Sequence, residues 1–358
     1  DCGRGVMIGA LMTYGALTVK AKALYGKRLR AEDFEHMAGL KSEADVLEYL
    51  RTQPGWARAV ARLSENRGGG YIGRVELEAD LRDQVRVEYL ALQHYVPRED
   101  KALLSFPVLL AEQGILLNAM RRLRAGAYYK GLPEPPAVAF PIHVDPKAAR
   151  SCTDYDGLIA AAEGSIYAPI LRHLRPAGGG LPDFTTAEAL LRTAYFSHMY
   201  RLIHKSYAGE TKKVLLHGFG EQVDLLNLIH ILRLKTYFPD SPQDLYLTVL
   251  FPFNYRLRPE FIRQLCAAPD AAAVFALLRE SPYARSFEDV AVTEVEDYYR
   301  RAFYTFNRRQ LTAGAPSVYT AVAYLNVKET EMRALVNVIE SVKYGVPYDA
   351  PFARLIGA

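Results

Sequence analysis

An aromatic–alanine pair occurs three times along this chain in the same local setting, and that repetition narrows the possible folds more than any other feature. Residues 45–58 read DVLEYLRTQPGWAR, residues 156–169 read DGLIAAAEGSIYAP, and residues 272–285 read AAVFALLRESPYAR. Aligned without gaps, they match Trp56-Ala57, Tyr167-Ala168 and Tyr283-Ala284, with Asp45, Asp156 and Ala272 eleven residues earlier. Leu47, Leu158 and Val274 share one column; Leu50, Ala161 and Leu277 share another. Two apolar columns three apart have helical spacing. Each segment reads as a short helix, a turn, and an aromatic that pins the next helix. Self-similarity at a fixed period marks a repeat architecture, in which each unit buries its apolar face against its neighbours.

Long helical patterns follow each small unit. After the first, Val75, Leu77, Leu81, Val85, Tyr89 and Leu92 form an apolar stripe of helical period with charges on the other face. The patterns predict helices over about 74–96 and 101–126, then over 184–207 and 211–238, then over 287–310 and 317–345. Asp183 and Thr185 are candidate caps of the third long helix. Two proline-rich stretches, 131–146 and 238–259, interrupt these patterns, because proline removes a backbone donor and clashes inside a helix. The chain thus divides into repeat 1 (1–130), a linker (131–146), repeat 2 (147–237), a second linker (238–259) and repeat 3 (260–358). The fold class expected is all-α, with a short strand allowed in LYLTVLF within the second linker.

Glycines invite a nucleotide reading. Gly68, Gly70 and Gly73 spell G-x-G-x-x-G, the dinucleotide-binding fingerprint. That motif needs a strand before it and a helix after it. Here Trp56, Val60 and Leu63 recur at helical spacing upstream, so the glycines join two helices. Gly178–Gly180 stands in the matching place after Tyr167. Both runs read as linkers between the small helices and a long hairpin.

Composition limits the remaining classes. Half of the 358 residues are hydrophobic and 23% are charged, as in globular proteins, and a net charge of +4 is too small for a dedicated nucleic-acid binder. Positive charge is concentrated at Lys20, Lys22, Lys27, Arg28 and Arg30, with no acid among them. Such a run is a solvated helix face, or a surface near anionic lipid or an acidic partner. Cys2, Cys152 and Cys266 are scattered, which suits a reducing, cytosolic setting. No run of eighteen apolar residues predicts a transmembrane helix. The stretch VMIGALMTYGALTV lacks a basic flank and reads as the buried start of a helix rather than a signal peptide.

Chemistry is hard to find. His198 and His204 are six apart, and His217 and His230 thirteen apart, so neither pair has the i, i+4 spacing of a zinc site. Glu329 and Glu331 point to different faces of a helix and form no acid–base pair. Asp224 and Arg233 are too far apart to meet and are expected to satisfy neighbouring helices. Cys152 lacks the basic or helix-terminal setting of a reactive thiol. There is no Walker loop and no G-x-S-x-G. Neither a catalytic residue, a cofactor nor a metal is expected.

The last long helix carries a family pattern. Ala323-Tyr324-Leu325, Lys328-Glu329 with Glu331, Arg333, Leu335 with Ile339, and Lys343 before Gly345-Val346-Pro347 resemble the C-terminal signature of the V-type/A-type rotary ATPase subunit called C in bacteria and archaea and d in eukaryotes. Asp224, Asn227, Leu228, Leu232, Arg233 and Lys235 are similar to the same family's Asp-x-x-Asn-Leu…Leu-Arg-x-Lys helix. Asn118 gives a weaker copy, with Ile115 in place of the aspartate. The resemblance implies a funnel-shaped, all-α protein of three pseudo-threefold repeats. It implies a non-catalytic adaptor, peripheral on the cytoplasmic face of the membrane, that links the central stalk subunits D and F to the proteolipid rotor ring and passes torque between them. Within that reading Arg233, Arg333 and Lys343 are expected to line the stalk socket, and Lys20, Lys22, Lys27, Arg28 and Arg30 to face the ring or membrane. The alternative is a free-standing helical scaffold that binds other proteins; an enzyme using the glycine turns on phosphate ranks behind both.

Overall fold

The computed structural model describes residues 2–65, 73–126, 142–284 and 294–357. Among these residues the chain forms α-helices, 3₁₀ turns and loops and no strand, so the fold is all-α. It divides into two compact units. The described residues of the first lie in 1–104 and 301–357, those of the second in 105–126 and 142–300.

The first unit opens with α1 (Cys2–Tyr25), α2 (Ala31–Ala38), α3 (Glu43–Arg51), α4 (Ala57–Glu65) and α5 (Arg74–Gln93). The second holds α6 (Phe106–Ala125), α7 (Pro146–Ser151), α8 (Tyr155–Ala161), α9 (Ala168–His173), α10 (Phe184–Ser206), α11 (Gly209–Tyr237), α12 (Gln243–Val249), α13 (Pro259–Ala267) and α14 (Ala271–Leu278). Helix α15 (Val295–Ala313) begins in the second unit and ends in the first, which α16 (Tyr319–Tyr344) and α17 (Ala350–Gly357) complete.

Helix α16 is the centre of the first unit. Every residue from Tyr319 to Leu325 is buried, and α1, α2, α3, α5 and α17 pack around it. A helix apolar on all sides has to be a core helix, and its Ala321 and Ala323 let neighbours approach closely. It stops at Gly345, whose φ of 65° is the left-handed cap that glycine adopts without a Cβ penalty. Leu77, Leu81, Val85, Tyr89 and Leu92 of α5 are buried as the stripe predicts, and so are Trp56, Val60 and Leu63. In the second unit, α10 packs on α6 and on α11. The apolar side of α11 joins Tyr246, Leu257, Leu265, Val274, Leu278 and Tyr283 in one core.

The small repeated unit is real at the level of local structure. α3, α8 and α14 start from Ser42, Asp154 and Asp270, each of which accepts a hydrogen bond from the backbone three residues on. Four residues after each cap stand Val46, Leu158 and Val274, and eight after stand Leu50, Ala162 and Leu278, all fully buried. The aromatics Trp56, Tyr167 and Tyr283 follow, again fully buried. In the second and third copies a serine two residues before the aromatic, Ser165 or Ser281, accepts from its backbone N–H. Counted from the caps, the first copy is one residue longer before its aromatic. The gapless alignment therefore misplaces two columns: Val46 rather than Leu47, and Leu278 rather than Leu277, face the core.

Other expectations change. The strand allowed in LYLTVLF is helix α12, entered from Pro242 with Asp244 in its first turn and Tyr246 buried. The second proline-rich stretch is thus part helix. Asp183 caps α10 by accepting from Thr186, and Thr185 lies inside the helix. The apolar N-terminal stretch is helical but buried only in part: Leu17 and Thr18 are enclosed, while Leu11, Met12 and Val19 lie on the surface. Leu103–Ala125 is long and apolar enough to cross a membrane by length and composition, although most of that window is buried within the protein. Gly68 and Gly70, residues 131–141 of the first linker and the predicted helix start at 287 lie outside the described residues.

Candidate functional site

The signature residues of α16 form a buried charge cluster. Glu331 is 1% exposed, and its Oε1 accepts from Trp56 Nε1 at 2.7 Å and from the Leu29 amide at 3.0 Å. One turn earlier, Lys328 lies equally deep. Its Nζ stands 3.7 Å from the centroid of the Trp56 ring, 3.8 Å from Glu331 Oε1 and 4.0 Å from Glu88 Oε1, and donates to the Gly55 carbonyl at 3.3 Å. Glu88 also accepts from the Tyr324 hydroxyl and from Gln84 Nε2. Two carboxylates thus share one ammonium, and four neutral donors offset the remaining negative charge. Buried ions cost several kcal/mol each unless paired and hydrogen-bonded in this way. Burial and the adjacent Glu88 carboxylate push the Tyr324 phenol far above its ordinary range, so it remains a donor. Gly55 is required here, since a Cβ would sit 2.5 Å from the Lys27 carbonyl oxygen.

The Asp-x-x-Asn pattern of α11 does the same work in the second unit. Asp224 is fully buried and accepts from the amides of Tyr255, Arg256 and Leu257 at 2.9, 2.7 and 3.1 Å and from the Tyr283 hydroxyl at 2.9 Å. Burial raises its carboxyl, and these four donors pull the other way. One turn on, Asn227 Oδ1 accepts from the Phe251 amide at 2.9 Å. The two residues staple the loop after α12 to α11. Asp224 therefore finds its partners in a loop and an aromatic, while Arg233 pairs separately with Glu296 at 2.6 Å. In α6, where isoleucine replaces the aspartate, Asn118 makes only a surface contact with Arg121, and Tyr167 donates instead to the Leu109 carbonyl.

Each small unit thus hangs on a long helix through its aromatic: Tyr167 on α6, Tyr283 on α11 and Trp56 on α16. The second and third use the long helix that precedes them in sequence, and the first uses the last long helix of the chain. Glu88, the partner that sequence reasoning missed, carried a readable signal: it lies seven residues after Leu81, inside an otherwise apolar stripe.

The residues expected to touch partners are mostly on the surface. Arg333 is 71% exposed and lies 3.4 Å from Glu329, which Arg82 also approaches. Lys343 is nearly buried, 3.3 Å from Glu43 and over the Tyr344 ring. Of the basic run, Lys22 donates to the Thr312 carbonyl at 3.0 Å, Arg28 lies over the Tyr25 ring, the Arg30 amide donates to Asp33, and Lys20 and Lys27 are surface residues of α1 and the turn after it.

Among the described residues no three His, Cys, Asp or Glu side chains converge on a point where a metal would bind. Gly179 and Gly180 make a left-handed turn between α9 and α10, beside a shallow cleft lined by Asp154, Asp156 and Arg175. Arg175 is already paired with Asp156, so the lining carries more carboxylate than a phosphate would tolerate. Cys152 is not without basic context, since Arg122 Nη2 lies 3.2 Å from its sulfur. Burial nonetheless outweighs that charge and raises the thiol's pKa, which disfavours the nucleophilic thiolate.

Comparison with known proteins agrees with this geometry. Over 197 residues the chain is 25% identical to the C subunit of the A-type ATP synthase of Methanobrevibacter smithii, an alignment covering 52% of this chain and 50% of that protein. The chain thus spans about half the length of that relative. Residues 17–351, which include the small units of all three copies and all three anchoring helices, match the sequence model of the ATP synthase (C/AC39) subunit. The chain belongs to the ATP synthase (C/AC39) subunit family.

Proposed function

We propose that this protein is a non-catalytic rotor adaptor of a V/A-type ATPase. It links the central stalk subunits D and F to the proteolipid ring on the cytoplasmic face of the membrane. It transmits the torque that couples ATP hydrolysis or synthesis to H⁺ or Na⁺ transport. The family resemblance implies that three repeats, 1–130, 147–237 and 260–358, form a funnel around a pseudo-threefold axis. The observation that carries this reading is the threefold recurrence of a capped helix and a buried aromatic tied to a long helix. Seating the first small unit on the last long helix is what a closed series of three requires. Torque transfer needs stiff walls, and the buried ion cluster and the Asp224 staple supply cross-links that long helices alone lack.

A pull-down of the purified chain against a detergent-solubilised proteolipid ring and a separately purified D–F stalk tests this. Binding to both in one ternary complex supports the adaptor. Binding to neither overturns it and leaves a helical scaffold.

A further inference from the structure

Helix α1 is apolar around its circumference, yet only one side of it is covered. Leu17, Ala21 and Tyr25 are buried, and Tyr14 donates to Asp100 on that side. On the other side Leu11 is 58% exposed, Met12 84% and Val19 70%. At about 100° per residue, positions 11, 12, 15, 19 and 22 share one face. A Cβ at Gly9 would meet nothing within 4 Å, and at Gly15 only Leu11 of the same helix. The stripe is therefore open along its length, and it ends at Lys22. The bond from Lys22 to Thr312 brings the end of α15 alongside, with Arg308 and the exposed Arg309. Arg308 is half-buried beside the Tyr304 phenol and donates to the Leu355 carbonyl at 3.5 Å, which leaves Arg309 as the open cation of that turn. No acid occurs between residues 2 and 30 or between 298 and 313. The nearby carboxylates Glu99 and Asp100 act on Tyr14, on the covered side.

We propose that this face of α1 lies in the headgroup layer of an anionic bilayer. Leu11, Met12 and Val19 enter the acyl boundary, and Lys22 and Arg309 meet lipid phosphates. An exposed apolar stripe continuous with acid-free basic flanks is the mark of an interfacial helix, whereas an apolar protein partner would leave the flanking charges unused. The lipid contact rests on the adaptor reading only for its place on the membrane.

The test is flotation of the full chain with phosphatidylcholine vesicles and with vesicles containing about 30% phosphatidylglycerol, at low and high salt. Binding to the anionic vesicles that salt weakens is expected. Met12→Glu with Val19→Glu should lower the bound fraction about tenfold or more, as should Lys22→Glu with Arg309→Glu. Far-UV circular dichroism checks that the helices persist. Absence of binding to anionic vesicles, or binding indifferent to the α1 substitutions, overturns the proposal. So does a concentration-dependent dimer abolished by Met12→Glu without any flotation, which assigns the face to a second copy. Flotation by a chain that pulls down neither ring nor stalk sinks the adaptor reading and leaves the lipid contact standing. A chain that binds ring and stalk but never floats does the reverse.

Discussion

Asp224 is the residue that holds the loop after α12 in the second unit. One carboxylate takes three consecutive amides and a phenol, so removing it strands four donors, those of Leu257 and Tyr283 fully buried. Asp224→Ala should cost about 3–5 kcal/mol, while Tyr283→Phe, which removes a single donor, should cost about 1 kcal/mol. Urea unfolding of the two variants checks the ratio; equal losses would show that the loop is held some other way. His230 supplies a second residue-scale prediction. Burial, and then the charges of Arg192 and Arg233, lower its pKa from 6.5 to about 4. Between those values the unfolded chain takes up a proton that the folded chain refuses. The folded state therefore loses stability as pH falls through 6.5, and the loss is complete near 4. With some solvent screening, that is worth about 2 kcal/mol. His230→Gln should flatten this part of the stability curve, measured by urea titration at pH 7 and pH 4.5. An unchanged slope would clear His230 of any role in acid sensitivity.

At the scale of elements, helices were legible where a pattern ran long. α10 and α11 begin and end within two residues of their periodic stretches, because a stripe of helical period over more than twenty residues admits no other structure. α12 was not legible: seven residues between prolines carry too few apolar positions to tell helix from strand, and the packing of Tyr246 decides. The one-residue shift in the first small unit was hidden for a related reason. The aromatic–alanine pair dominates a gapless alignment, while the capping oxygen that sets helix phase changes from aspartate to serine. The candidate clusters were half legible. Lys328, Glu331, Asp224 and Asn227 stood out in the family pattern, but their partners include the amides of Leu29, Phe251 and Tyr255, which side-chain identity cannot encode. Two helix glycines make the packing testable. A Cβ at Gly220 in α11 would lie 2.6 Å from both the Tyr200 hydroxyl and Tyr255 Cγ, whereas one at Gly114 in α6 would meet nothing within 4 Å. Gly114→Ala should gain about 0.5–1 kcal/mol from helix propensity alone. Gly220→Ala receives the same gain but overpacks two tyrosines, for a net loss of about 1–2 kcal/mol. Thermal melts of the two variants should move in opposite directions; a shift of the same sign in both would refute the close approach.

For the whole molecule, the proposed stalk contact has to be separated from the charges that hold the fold. The three residues matched to that role differ in their surroundings. Arg233 and Arg333 are exposed and make ion pairs whose partners are also within reach of solvent, contacts worth little to stability. Lys343 is nearly enclosed against Glu43, so reversing it places two carboxylates together and destabilises the first unit before any binding is measured. The informative variants are therefore Arg233→Glu and Arg333→Glu, with Lys343→Glu as the one expected to unfold early. If the two arginines face the D–F stalk, each reversal should leave the urea midpoint within about 0.5 kcal/mol of the parent. Each should also slow stalk association about tenfold, with a weaker salt dependence, as loss of a steering charge at an interface rim does. Should the stalk bind both variants at the parent rate, the grip lies elsewhere on the long helices. The exposed ends of those helices, where Tyr237, Phe238, Tyr344 and Val346 are uncovered, would then be the surface to alter.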